Sequence, residues 1–373
     1  MKVLVTGAAG FIGKNLVERL KGSECPDVSE VFEVTLDTSD LLFEAYCAEC
    51  DFVFHLAGVN RPVEVAEFVE GNVDFTTRLL DRLRLRDACP VLFSSSAQAA
   101  LENPYGTSKK TAEDAVRAYA EKTGAPVFVY RLPGVFGKWS RPNYNSVVAT
   151  FCHNIAHDLP VTINDPATRL SLVYIDDVVR EFTRALSDQA NRVEGGMFAV
   201  PTVYDSTLGD IAALLEGFRD SRVDLSIPAT DDAFTKRLYS TYLSFLPTDE
   251  FSYPLAMKSD ERGGFTEIIR TPDRGQFSVN VIKPGVTKGN HWHNTKNEKF
   301  VVVSGEGVIR FRKVGEDEAT VEYFVSGEKI EVVDIPPGYT HNIENLGSAE
   351  MVTFMWSNER FDPNNPDTFW LGV

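Results

Sequence analysis

The spacing of apolar residues changes once along this chain, and that change limits the fold more than any other feature. From residue 1 to about 245, strand-like and helix-like segments alternate. Lys2–Thr6 is a short apolar run, and Phe11–Leu20 carries Phe11, Ile12, Leu16, Val17 and Leu20 at helical spacing. Val31–Leu36 and Asp51–Leu56 read as strands, Val63–Leu85 as helix, Val91–Ser94 as strand, Ser108–Thr123 as helix and Val127–Leu132 as strand. Strands apolar on both faces, separated by helices, imply a doubly wound parallel sheet. From about residue 260 the helices stop. Phe265–Arg270, Phe277–Lys283, Lys299–Val303, Val308–Arg312, Val321–Val325, Ile330–Ile335 and Met351–Trp356 are short strand candidates. Turn signals such as Lys283-Pro284-Gly285, Ser304-Gly305-Glu306-Gly307 and Pro336-Pro337-Gly338 separate them, the pattern of a sandwich or barrel. The expectation is an α/β domain over 1–245 and an all-β domain over 246–373. Ser226 to Tyr253, with prolines and aromatics, reads as a packed connector.

The length of 373 residues suits two cores. A net charge of −17 argues against a nucleic-acid partner, because counterion release needs a basic surface. A phosphorylated small ligand needs only local donors and stays allowed. No apolar run approaches the ~18–20 residues of a bilayer span. Met1-Lys2 leads straight into Val3-Leu4-Val5 without an export signal, so a cytoplasmic protein is expected. The five cysteines then read as free thiols, with Cys47-x-x-Cys50 on a buried helix face.

Thr6-Gly7-Ala8-Ala9-Gly10-Phe11-Ile12-Gly13 follows the first strand and opens the first helix. Gly7 permits a tight turn, Gly10 lets backbone approach a pyrophosphate, and Gly13 allows close helix packing; the helix N-terminus adds amide donors. This context predicts dinucleotide binding. The spacing resembles that of the extended short-chain dehydrogenase/reductases, a Rossmann-like family, and later segments support the resemblance. Asp51-Phe52-Val53-Phe54-His55-Leu56-Ala57-Gly58 is similar to the family's fourth-strand cofactor segment, and Gly71-Asn72-Val73 to its Asn-Val pair. Ser94-Ser95-Ser96 ends a strand, Tyr105-Gly106-Thr107-Ser108-Lys109 holds a Tyr-x-x-x-Lys pair, and Arg131-Leu132-Pro133-Gly134 resembles the segment beside the nicotinamide. The resemblance implies that Gly7, Gly10, Phe11, Ile12, Gly13, Leu56, Ala57, Gly58, Asn72, Tyr105, Lys109 and Pro133 bind the coenzyme.

The chemistry of Tyr105 and Lys109 follows from their spacing. Four residues apart on a helix, they share a face. A lysine ammonium there favours the phenolate and is expected to draw the tyrosine pKa down. Such a tyrosine can give a proton to a carbonyl oxygen as hydride arrives, and a nearby serine can hold that oxygen. By resemblance Ser96 is that serine, in preference to Ser95. Asp37, ending Val34-Thr35-Leu36-Asp37, is either the carboxylate that holds an NAD ribose or a turn former. Arg169 lies in Arg169–Val178, similar to a family segment in which an arginine meets a nucleotide diphosphate. His153 and His157 lack a third ligand and read as helix surface.

In the second half, Gly285-(x5)-His291-Trp292-His293-(x4)-Glu298 is followed by Pro336-x-Gly338-x-x-His341-(x3)-Asn345. On a strand, His291 and His293 project to one side. Three imidazoles and one carboxylate suit one divalent ion, Zn, Mn, Fe, Ni or Co. The combination matches both motifs of the cupins, jelly-roll barrels, with Ile330 replacing the second motif's opening glycine and Gly327 lying three residues early. Asp260–Glu267 is similar to the opening of cupin-fold epimerases acting on 4-keto-6-deoxy nucleotide sugars, which would aim Arg262 at a diphosphate.

Across nearly the whole chain, Leu238–Leu243, Thr271–Gln276 and Lys288–His293 carry a resemblance to the bifunctional capsular-polysaccharide enzymes of the UDP-N-acetyl-L-fucosamine route. It implies C3 epimerisation of a UDP-2-acetamido-2,6-dideoxy-4-hexulose by a zinc cupin. Reduction by the first domain, with NADPH in a homodimer, then gives the UDP-2-acetamido-2,6-dideoxy-L-talose; Asp37 leaves NADH open. The rivals are a nucleotide-sugar 4-epimerase or dehydratase with the cupin as dimerisation module, and a sugar sensor without catalysis. Ala97-Gln98, where a dehydratase commonly has Asp-Glu, counts against the first, and an intact Tyr105/Lys109 pair against the second.

Overall fold

Strands apolar on two faces must be covered on both, whereas strands apolar on one face can pair into a closed sandwich. A computed structural model of the chain describes residues 1–86, 88–315 and 319–373, in which both arrangements occur. They form two compact units, Met1–Glu216 with Thr230–Pro247, and Gly217–Ala229 with Thr248–Val373.

In the first unit, β1 (Lys2–Thr6), β2 (Glu30–Val34), β3 (Phe52–His55), β4 (Val91–Ser96) and β5 (Val127–Leu132) make a five-stranded parallel sheet in the order β2-β1-β3-β4-β5. Its helices include α1 (Phe11–Lys21), α2 (Asp40–Glu49), α3 (Phe75–Leu83), α4 (Pro104–Thr123), α5 (Val147–Ala156) and α6 (Ile175–Arg184), and the segment read as a connector also holds a helix over Ala233–Leu243. Alternation along β1 sends Val3 and Val5 to a core shared with Leu16 and Leu20 of α1 and Val178 and Phe182 of α6. Leu4 goes to the opposite core, with Phe43 of α2, Leu79 of α3 and Val116 of α4. Helices therefore cover both faces, the doubly wound arrangement expected from the sequence. The chain leaves β1 to β2 on one side while β3 lies on the other. Such a reversal opens a crevice at the carboxyl ends of β1 and β3. A smaller sheet, β6 (Gly134–Phe136), β7 (Arg169–Tyr174) and β8 (Tyr204–Thr207), follows.

Two helix boundaries differ from the expectation, both for local reasons. The helix expected from Val63 begins later, as a π-helical turn over Val69–Asp74 running into α3. Val63 and Val65 have nothing to pack against, being 93% and 64% exposed, and the Glu67 carboxylate takes the Val63 and Glu64 amides into a turn. Helix α4 starts earlier than Ser108, because Asn103 caps it by accepting from the Gly106 amide at 2.8 Å and Pro104 occupies its first turn. That places Tyr105 inside the helix.

The second unit is all-β. One antiparallel sheet joins β9 (Met257–Asp260), β10 (Gly263–Thr271), β11 (Gly275–Ile282), β13 (Glu298–Ser304), β16 (Val333–Ile335) and β18 (Met351–Ser357). The other joins β12 (Thr287–Trp292), β14 (Glu306–Lys313), β15 (Val321–Ser326), β17 (Tyr339–Asn345) and β19 (Phe369–Trp370). Ile282, Phe300, Val302, Ile309, Ile343 and Met351 fill the space between them. All seven expected strands form; β16 is short because Ile330 and Val332 stay exposed. The five cysteines are free and buried, with Cys47 in α2, where burial pushes its thiol up to about 12. Among the described residues, no helix is long and apolar enough to cross a membrane.

Candidate active sites

The glycine loop sits at the crevice in the first sheet. Gly7 has φ +70°, and a Cβ there would lie 2.8 Å from the Ala57 amide nitrogen, so the turn and its approach to the β3 exit both require glycine. A Cβ at Gly13 would fall 2.1 Å from the Gly7 carbonyl oxygen; this glycine lets α1 close onto the loop itself rather than onto the strand. Gly10 caps α1 without a side-chain hydrogen bond, and the first turn holds no acidic residue, which leaves the amides of Phe11 and Ile12 open to an anion. Leu56, Ala57 and Gly58 follow β3 directly, opposite this loop. Asn72, in the π-helical turn, holds them: its Oδ1 accepts from the Val59 amide at 2.7 Å and its Nδ2 donates to the Val59 carbonyl at 3.1 Å.

Behind the crevice runs a polar chain that sequence reasoning missed. The Thr76 hydroxyl donates to the Asn72 carbonyl, so it must accept from Nε2–H of the fully buried His55; Nδ1 of His55 then accepts the Thr6 hydroxyl at 2.7 Å. The Thr6 oxygen in turn accepts from the amides of Leu56 and Ala57. Burial drives the imidazole pKa down to about 3, which keeps the ring neutral and this direction of donation fixed. The signal was present in His55 inside an otherwise apolar strand.

Tyr105 and Lys109 share the inner face of the start of α4. Ser96, at the end of β4, faces the Tyr105 phenol, its Oγ accepting from the Gln98 amide at 3.2 Å, whereas Ser95 donates to buried Glu113 at 2.6 Å. Lys109 is buried; its Nζ donates to the Ser94 carbonyl at 2.8 Å and lies 4.3 Å from the Phe93 ring centre. Burial, countered in part by Glu113, pulls Lys109 down to about 8. Glu113, unnoticed in the sequence, is clasped by Arg131 through Nε at 2.8 Å and Nη2 at 2.7 Å. The expected lowering of Tyr105 does not come from the protein's own groups: burial raises the phenol, and the nearby Ser96 hydroxyl offsets this only partly. Pro133 joins β5 to β6. Asp37 is exposed just past β2, in a turn where its amide donates to the Thr35 hydroxyl. Arg169 is exposed at the start of β7. His153 and His157 lie at the end of α5, His157 Nδ1 meeting the His153 carbonyl at 2.8 Å.

In the barrel, His291, His293, Glu298 and His341 converge, each offering one ligand atom within 4.8 Å of the others. His291 pairs in register with His341 across β12 and β17, after a bulge at Asn290. His293 follows β12 on the same side as His291, while Trp292 turns away onto Phe369. Glu298 opens β13 in the facing sheet. Its Oε2 is 3.5 Å from His293 Nε2 and 3.4 Å from His341 Nε2, an ion-pair spacing too long for good hydrogen bonds. Glu298 Oε2, His293 Nε2 and both nitrogens of His341 are buried without a hydrogen-bond partner. Burial pushes the Glu298 carboxyl up, but the adjoining imidazoles and Lys296 outweigh it and hold the group well below the usual range. Burial and His341 lower His291 to about 4. Three imidazoles and a carboxylate converging with buried, unpartnered nitrogen and oxygen atoms are the donor set a divalent cation takes, so the residues fit a metal.

A cavity of about 410 Å³ opens onto this group, lined also by Arg262, Asp260, Lys288 and Asn280. Arg262 forks onto Asp260 through Nε at 3.0 Å and Nη2 at 2.7 Å. Lys288 donates to Asn280 Oδ1 at 2.8 Å.

Comparison with known proteins bears on both sites. Residues 3–200 match the NAD dependent epimerase/dehydratase family and residues 258–369 the polysaccharide biosynthesis C-terminal domain. The chain is 46% identical, over all of its length and 99% of the relative's, to UDP-2-acetamido-2,6-beta-L-arabino-hexul-4-ose reductase of Pseudomonas aeruginosa. It superposes on the capsular polysaccharide assembling protein CapF from Staphylococcus aureus with a TM-score of 0.93, at 52% identity and full coverage of both chains. A UDP-glucuronic acid 4-epimerase from Bacillus cereus shares the fold at 18% identity, with a TM-score of 0.54 over 66% of this chain and 99% of its own.

Proposed function

The chain belongs to the NAD dependent epimerase/dehydratase family, and from that premise we propose that it acts twice on one UDP-activated 4-keto-6-deoxy amino sugar. The barrel inverts C3 of a UDP-2-acetamido-2,6-dideoxy-4-hexulose, and the α/β unit reduces the C4 ketone to the L-talose derivative, in the biosynthesis of UDP-N-acetyl-L-fucosamine for a capsule. The working form is a cytoplasmic homodimer using NADPH, with zinc in the barrel. One observation carries the reading: a chain with a full-length relative named as a 4-ketose reductase also builds a four-ligand group with unpartnered lone pairs, which hydride transfer does not need.

A C–H bond beside a ketone is acidic because its anion is an enolate. A divalent cation at His291, His293, Glu298 and His341 would act on that ketone as a Lewis acid. Arg262, released from Asp260, would take the diphosphate. Reduction removes the ketone and with it the acidity, so epimerisation must come first. In the α/β unit, the amides after Gly10, with Gly58 and Pro133, would hold the dinucleotide, whose reduced nicotinamide would supply the hydride. As charge grows on the C4 oxygen, Ser96 holds it and Tyr105 donates its proton. Lys109 stabilises the phenolate left behind.

The test is incubation with the 4-keto UDP-sugar in deuterium oxide. Deuterium should enter C3 without coenzyme, and NADPH should then be consumed one for one. His291→Ala should abolish exchange while C4 reduction of a suitable ketone survives. Exchange at the wild-type rate removes the metal from the mechanism. A 4-epimerase or dehydratase would recycle its hydride and consume no NADPH. Ser96 is followed by the 3-10 turn Ala97–Ala100, without the carboxylates a dehydratase commonly has there.

A further inference from the structure

The end of the chain is built into the proposed metal group. A carbonyl oxygen can only accept, so the 2.6 Å contact between Nδ1 of His293 and the Asp367 carbonyl fixes the proton on Nδ1. Nε2 is thereby the ring nitrogen turned toward Glu298, 3.5 Å from its Oε2, and the one available to a ligand. His293 is 1% exposed, so no solvent competes for that bond. The Asp367 side chain does a second task. Oδ1 accepts from the Asn294 amide at 3.0 Å, and Oδ2 accepts from the amides of Thr295 at 2.8 Å and Lys296 at 2.9 Å and from the Thr295 hydroxyl at 3.1 Å. One residue thus holds both His293 and the loop that spaces it from Glu298. It does so with φ +38°, a left-handed backbone that aspartate tolerates better than most residues.

The residues after it continue the clamp. β19 adds to the edge of β12, pairing Trp370 with His291 and Phe369 with Trp292. The Leu371 amide donates to the Asn290 carbonyl at 3.0 Å, beside the bulge that sets the His291 register, and the Thr340 hydroxyl next to His341 donates to the Leu371 carbonyl.

We propose that residues 367–373 form the outer shell of the barrel's cation site, with Asp367 as a positioning residue that sets the tautomer and reach of His293. The inference rests on the metal reading of that site. Hydrogen-bond partners behind ligating histidines fix ring orientation and ligand basicity, and their loss commonly weakens metal binding about 10- to 100-fold.

The experiment uses the full-length protein, zinc titrated against a chromophoric chelator, and the visible absorption of the cobalt-loaded form. Asp367→Ala keeps the backbone carbonyl but releases the carboxylate clamp that holds it against His293, so it should bind zinc about 10- to 100-fold more weakly and, at saturating cobalt, show a changed ligand-field spectrum. Asp362→Ala, in the same tail but bonded only to its own turn, should match wild type. Thr295→Ala removes one hydrogen bond to the Asp367 carboxylate and leaves its three amide donors in place, is gentler on folding, and should weaken zinc less, about two- to tenfold. Wild-type zinc affinity in both Asp367→Ala and Thr295→Ala, or an unaltered cobalt spectrum at saturation, overturns the proposal. A wild-type protein that takes up neither ion sinks the metal reading and this inference with it.

Discussion

In the α/β unit the buried charges are answered from within. Lys109 spends its proton on the Ser94 carbonyl and lies over Phe93, and Glu113 behind it is held by Arg131 and Ser95. In the barrel, an equally buried carboxylate meets imidazole nitrogens at distances that satisfy neither side. An unpartnered buried polar atom costs about 1–3 kcal/mol. The first site is therefore complete as folded, and its ligand governs rate and pH response. The second carries a local deficit that a cation relieves, so its ligand governs stability as well as chemistry.

The largest effect should come from removing the cation. Chelation should abolish deuterium exchange at C3 and lower the melting transition of the barrel. A site filled at a thousandfold excess over its Kd contributes about 4 kcal/mol to stability. Calorimetry with and without chelator checks it, and an unmoved transition breaks the contrast between the sites. Next in size is Tyr105→Phe. Losing a positioned proton donor should reduce the C4 reduction rate about 10²- to 10⁴-fold, with C3 exchange and the metal-linked transition unchanged. Stopped-flow NADPH oxidation reads the first and mass spectrometry the second.

The same contrast explains what could be read in the sequence. Strands β1, β3 and β5 are apolar on both faces, so they stood out, and the glycine loop is legible because Gly7 and Gly13 leave no room for a Cβ. The supports of that site were not: Glu113 lies one helical turn beyond Lys109 on a chain rich in charges, and its meeting with Arg131 depends on β5 lying beside β4. In the barrel the histidine spacing gave the ligands, yet β17 (Tyr339–Asn345) has too few apolar residues to read as a strand. Its inward positions are His341, Ile343 and the amide-bearing Asn345, which ties the Ile282 and Ala349 carbonyls together. A polar lining erases the alternation by which strands are recognised. Asp367 had no signal, since its role appears only once the tail folds back on the Asn294–Lys296 loop.

A smaller effect separates holding a substrate from changing it. The Arg262–Asp260 fork is largely exposed, with side chains 60% and 48% accessible, and pairs of that kind are worth about 0–1 kcal/mol. Little opposes transfer of Arg262 to a diphosphate. Arg262→Ala should raise KM for C3 exchange about 10- to 100-fold, the size of a lost charge-assisted hydrogen bond of about 1.5–3 kcal/mol, with kcat and zinc affinity held. Initial rates against UDP-sugar concentration measure it. A fall in kcat alone would place Arg262 in the chemistry rather than in binding.

The smallest effect is one of pH, and it belongs to the first site alone. Lys109 titrates near 8 in the folded chain against an ordinary 10.5. Below about pH 8 the ammonium is present folded and unfolded. Between 8 and 10.5 the folded protein has lost the proton that the unfolded chain keeps, so stability rises with pH across that window. Catalysis should run the other way, because the charge that stabilises the Tyr105 phenolate disappears. The C4 reduction rate should fall about tenfold per pH unit once above 8, while C3 exchange shows no break there. Lys109→Met should be slow throughout and lack the falling limb. A break near pH 8 that persists in Lys109→Met would move the titration to another group.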